Sequence, residues 1–151
     1  MSASESIHGA PPAPAGVLLA DGSPAFGAYA GNIESVEWAG LNAALQRSGL
    51  WRRFHHKRWQ YVGIAGADCF IGLAIVDAGW AASAFAYVFD RAQRRVLLEF
   101  SAMGVPGASV KVNDKAGDGA FALFKGPAGE ISLIRQCGSK TYSLKLQTRS
   151  G

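Results

Sequence analysis

The chain has 151 residues, of which 49% are hydrophobic and 17% charged, with 19 glycines against 6 prolines. A chain of this length and apolar content can bury a core of its own, which excludes general disorder and points to one domain. Its net charge of +4 is local: Arg47, Arg52, Arg53, Lys57 and Arg58 share a stretch with no acidic residue, so the balance argues against a nucleic-acid surface spread over the molecule.

Residues 1–15 are rich in Ser, Ala, Gly and Pro, and Pro11, Pro12 and Pro14 favour extended backbone. They are expected to form a flexible tail rather than a targeting helix. Residues 16–151 are expected to form the β-rich domain. Within it, Val17, Leu18 and Leu19 make a short strand signal before a turn at Asp21-Gly22. Leu41, Ala44 and Leu45 share a helical face, and Ser48-Gly49 would stop a helix there. The stretch 33–57 therefore reads as a short helix or an irregular approach to a sheet.

From residue 58 onward the signals are those of strands. The aromatic and β-branched run 59–64 breaks at Gly66-Ala67-Asp68, and 69–76 is nearly all apolar, as in a strand buried on both faces. Segment 82–89 alternates, with Phe85, Tyr87 and Phe89 on one side and Ala82, Ala84, Ala86 and Val88 on the other. Further strands are expected at 95–100, 110–112, 120–124, 131–136 and 141–146, separated by Gly-, Pro- and Asn-rich turns. In the last of these Tyr142, Leu144 and Leu146 face in. Strands joined by such short turns are antiparallel neighbours. The expected fold is therefore mainly all-β: an antiparallel meander forming a barrel or a sandwich, open or incompletely closed, with a short N-terminal helix or irregular segment.

No reaction signature is present: there is no Walker loop, no His-Glu-x-x-His and no Gly-x-Ser-x-Gly. Cys69 and Cys137 lack zinc-knuckle spacing and read as free thiols of a reducing cytoplasm. His55 and His56, adjacent on an extended chain, would point to opposite sides and could not easily share a metal. No metal or cofactor is expected. The longest apolar stretch is too short for a membrane-spanning helix, so no membrane span is expected and the location expected is cytoplasmic.

Two segments carry competing readings. Trp51 to Trp59 interleaves cations with aromatic residues, as in a single-strand-binding platform. The plainer reading, which we favour, is an amphipathic lead-in strand with Trp51, Phe54 and Trp59 anchored in the core. Asp77, before Gly79-Trp80, could be a desolvated acid at a pocket mouth, but an Asp before Gly more often builds the turn.

The stretches Lys57-Arg58-Trp59-Gln60-Tyr61-Val62-Gly63-Ile64, Phe70-Ile71-Gly72-Leu73-Ala74-Ile75-Val76-Asp77-Ala78-Gly79-Trp80 and Ala84-Phe85-Ala86-Tyr87-Val88-Phe89-Asp90 occur in order. Together they resemble the front half of the family called domain of unknown function 2804. Members of that family are longer, and the resemblance implies that this chain is the front portion of such a protein. The family in turn resembles, distantly, the paired lipocalin-like barrels of carotenoid hydratase-type and related lipid-acting proteins, which implies an apolar isoprenoid or acyl ligand. This is an analogy of fold and transfers no chemistry.

The resulting expectation is a lipocalin-like barrel or sandwich that binds a lipid-like small molecule lined by Trp59, Tyr61, Asp77 and Trp80. One alternative is an enzyme module acting on an apolar substrate with Asp77 as acid or base. The other is single-stranded nucleic-acid binding through Arg52 to Trp59, which the charge balance disfavours. Self-association through an exposed sheet edge is also expected.

Overall fold

The computed structural model describes residues 9–139 and 141–149. Part of the expected tail, residues 1–8, lies outside the described residues. Residues 11–16 run beside 30–35 through the bridges Pro12–Ala30 and Gly16–Ser35, and Ser35 bridges to Lys115. Val17 to Leu19 contribute a single bridge, Leu18–Pro24, at a turn where Asp21 accepts hydrogen bonds from the backbone N–H and the hydroxyl of Ser23.

Eight strands follow a short helix: α1 (Gly49–His55), β1 (Arg58–Ala65), β2 (Cys69–Asp77), β3 (Ala82–Asp90), β4 (Arg95–Gly104), β5 (Val110–Val112), β6 (Phe121–Gly126), β7 (Gly129–Arg135) and β8 (Tyr142–Thr148). They form two antiparallel four-stranded meanders, β1-β2-β3-β4 and β5-β6-β7-β8. Every strand expected from residue 58 onward is present, whereas the α-helix, α1, lies beyond the Leu41 to Leu45 stretch where a short helix was expected. Of the two expected architectures the molecule is the open one: among the described residues neither sheet closes into a barrel, since β4 pairs with β3 alone and β5 with β6 alone.

The two sheets face each other across a filled core. The first contributes Leu73, Ile75, Ala82, Ala84, Ala86, Phe100 and Ala102, and the second Val110, Val112, Ala122, Phe124, Ile131 and Leu133, with Leu144 and Leu146 of β8 packed at its margin. The alanine face of β3 is what lets the second sheet approach: small side chains there leave room for Phe124, Ile131 and Leu133, which are fully buried. Each such side chain contributes about 1.5–3 kcal/mol by leaving water. The space the alanines leave is thus occupied by side chains of the second sheet.

The start of α1 differs from the sequence expectation. Ser48-Gly49 begins the helix instead of ending one. The Ser48 hydroxyl accepts from the Trp51 N–H at 3.2 Å, as an N-cap does, and the preceding Leu41 to Leu45 pattern yields only one 3-10 turn, Ala43–Leu45. The basic aromatic segment is consequently helical up to His55. Trp51 and Phe54 are 47% and 46% exposed, and Trp59 on β1 is 62% exposed. None is a core anchor: α1 buries no residue, and the β1–β2 register turns Trp59 away from the second sheet.

Candidate functional site

The register of the first sheet sorts its side chains onto two faces. The face turned away from the second sheet carries Trp59 and Tyr61 of β1, Phe70, Ala74 and Val76 of β2, Phe85, Tyr87 and Phe89 of β3, and Met103 of β4. The polar residues on it are Ser83, Glu99 and Ser101, along with the tyrosine hydroxyls. Glycines shape the surface: the Tyr87 ring lies over Gly72, and Phe70 and Tyr61 crowd Gly63. Tyr61 and Phe85 flank Ala74 in register and leave it buried beneath them. Phe85 and Tyr87 are stacked with centroids 6.4 Å apart, and Phe70 and Tyr87 are 6.0 Å apart. The result is a broad aromatic shelf. Its Tyr87 phenol is held above the ordinary tyrosine range, first by a hydrogen bond with Tyr61 and then by desolvation.

A second feature lies at the end of this sheet where β1 begins and β2 and β4 finish. A cavity of about 570 Å³ is lined by Arg52 and Arg53 of α1, by His56 and Arg58, by Asp77, and by Gly49, Gly79, Pro106 and Gly107. The β2–β3 turn forms part of its wall. Gly79, at φ +80°, sits against the carbonyl oxygens of Arg53 and His56 so closely that a Cβ there would strike Arg53, which locks the helix to the turn.

The four residues expected to line one pocket are divided between these places. Trp59 and Tyr61 lie on the aromatic shelf. Asp77 is on the opposite face, opposite Arg58 in the β1–β2 register, with its side chain 14% exposed. It accepts from the Gly79 N–H at 3.0 Å and forms an ion pair with Arg58 at 3.1 Å. Trp80 lies in the turn between β2 and β3 and is exposed.

Phe85, Tyr87 and Phe89 join the shelf without having been expected at a site: their alternation is visible in the sequence, but which face stays uncovered is not. Nor does the sequence place Arg53 and His56 together at a cavity. Only the helical turn brings them to one wall, and an extended segment would hold them apart. Among the described residues, no three His, Cys, Asp or Glu are placed to hold a metal, and no helix is long and apolar enough to cross a membrane.

A family model described as Domain of unknown function (DUF2804) matches residues 11–150. No curated protein matches the chain, and no solved structure does.

Proposed function

This chain belongs to the family described as Domain of unknown function (DUF2804), and from that premise we propose that it binds an apolar, lipid-like small molecule on the aromatic shelf of its first sheet. The observation that carries the reading is the shelf itself: nine apolar or aromatic side chains on one face, uncovered by the second sheet, with Trp59 and Tyr61 62% and 50% exposed. Exposed contiguous apolar surface of this kind marks interaction sites in soluble proteins. Flat aromatic rings suit an isoprenoid or acyl chain, which needs contact area more than hydrogen bonds. The ligand-lining residues of this reading are Trp59 and Tyr61 with Phe85 and Tyr87, and Trp80 belongs to the same end of the sheet as Trp59. A cytoplasmic setting accords with the free thiols of Cys69 and Cys137.

Binding is favoured over catalysis because Asp77 is already engaged by the Gly79 N–H and by Arg58, which is how a turn-building carboxylate is held. Equilibrium dialysis against all-trans-retinol, an uncharged isoprenoid, tests the reading. Saturable binding is expected, and the double variant Trp59→Ala/Phe85→Ala should weaken it about tenfold or more. Equal binding by both proteins, or none by the wild type, would overturn it.

One observation favours a second reading, single-stranded nucleic-acid binding: Trp51, Phe54 and Trp59 are exposed beside Arg52 and Arg53. Against it, the His55 ring already stacks on Trp51 at 4.3 Å with the planes nearly parallel, and the Arg47 guanidinium lies 6.0 Å from that ring's centroid. Trp51 is thus not a free face for a base. Tight, salt-sensitive retention of oligothymidylate would promote this reading.

A further inference from the structure

We propose that the cavity between α1 and the β2–β3 turn is an oxyanion site that takes the carboxylate or phosphate headgroup of the ligand whose apolar chain lies on the shelf. This deepens the reading of the shelf as a lipid-binding surface and rests on it.

Three guanidinium groups and one imidazole line the cavity, and Asp77 is its one carboxylate. That carboxylate is paired with Arg58, which also lies 3.9 Å from Asp114. Among the described residues, the ion pairs involve Arg58, Lys125 and Arg135, so Arg52 and Arg53 have no carboxylate partner. Two unpaired guanidinium groups therefore share an open cavity whose negative charge is already neutralised. Guanidinium binds carboxylate and phosphate through two parallel N–H donors, the geometry that a planar or tetrahedral oxyanion accepts best. The glycines Gly49, Gly79 and Gly107 on the lining keep bulk away from the cavity.

The position of the cavity makes it a headgroup site. Arg58 and Asp77 line it from the face opposite the shelf, while Trp59, the next residue after Arg58, lies on the shelf, so cavity and shelf meet only around this end of the sheet. The shelf row at this end is Trp59, Val76, Ser83 and Met103, in register across all four strands. Pro106 and Gly107 follow β4 at the same end. The chain of a ligand whose anionic head is held by Arg52 and Arg53 thus passes over this sheet end to reach the apolar surface, which begins there with Trp59, Val76 and Met103. The expected ligand class is a single-chain anionic amphiphile: an acyl or isoprenoid carboxylate, or the corresponding phosphate.

Calorimetric titration with decyl phosphate, decanoate, decanol and inorganic phosphate tests the proposal. Decyl phosphate or decanoate should bind about tenfold tighter than decanol. Arg53→Gln and Arg52→Gln should each reduce that preference, and the double variant should abolish it, with decanol binding unchanged. Arg95→Gln, which removes the same charge at the opposite end of the sheet, should leave the preference intact. Thermal unfolding of each variant checks that the fold is kept, and both arginines are exposed. If decanol binds as tightly as the anions, or if Arg95→Gln lowers the preference as much as the double variant, the headgroup site is wrong while the shelf stands. If decanol fails to bind but inorganic phosphate binds in an Arg52- and Arg53-dependent way, the oxyanion site stands and the lipid reading falls. If nothing binds, both fall.

Discussion

Tyr87 and Trp59 show how neighbours decide what an aromatic residue does. The hydrogen bond that the Tyr87 hydroxyl donates to Tyr61 and the loss of water hold the Tyr87 proton more tightly in the folded chain than in the unfolded one. A raised pKa means that this contribution to stability is fully present below about pH 10 and is lost as pH rises through the raised value. An absorbance titration of phenolate formation should show one tyrosine ionising late, and Tyr61→Phe should move it back toward the ordinary range. Simultaneous ionisation of all tyrosines in the wild type would refute the pairing. Trp59 is large but mostly in water, whereas Phe124 is fully buried. In denaturant unfolding, Phe124→Ala should cost about 3–5 kcal/mol, while Trp59→Ala should stay within about 1 kcal/mol. A large loss from Trp59→Ala would show that the shelf is packed against something in solution.

At the scale of elements, α1 and β3 carry the most informative tests. α1 has seven residues, none buried, so its order depends on its cap and on the Gly79 contact rather than on core packing. Ser48→Ala removes the cap and should cost about 1 kcal/mol locally. Amide exchange at Arg52 and His56, whose N–H groups bond to Ser48 and Arg52, should accelerate about fivefold without a change in global stability. On β3 the buried alanines set the separation of the sheets. Ala84→Leu should overpack that interface and cost about 1–3 kcal/mol in chemical denaturation. A neutral result would mean that the sheets separate more easily than Phe124, Ile131 and Leu133 suggest.

At the scale of the molecule, the open architecture leaves strand edges. β4 and β8 end their sheets and have no further strand partner among the described residues. Such edges present unpaired N–H and C=O groups to any compatible strand. The central strands β2 and β7 should exchange their amides slowest, and alternate amides of β4 and β8 fastest. We propose that the chain self-associates through such an edge, and sedimentation velocity across a concentration series should show a rising mean mass. A strictly monomeric species with slow exchange along both β4 and β8 would refute this.

Local sequence determined the eight strands, because period-two alternation and Gly- or Asp-rich turns act within a few residues. Ala82, Ala84 and Ala86 against Phe85, Tyr87 and Phe89 fixed both faces of β3 before any partner was known. The family was legible for the same reason, in the linked motifs from Lys57 to Asp90. Three things depended on tertiary structure. Whether the meander closes or splits into two sheets is decided by which edges pair across the molecule. Whether Ser48-Gly49 begins or ends a helix depends on the turn that α1 docks against, since Ser caps a helix and Gly ends one with equal ease. Which aromatic residues are buried depends on which face of the first sheet the second one covers: Phe124, Ile131 and Leu133 pack over the β3 alanines, so the face that carries Trp59, Tyr61 and Phe85 is left to water or to a ligand.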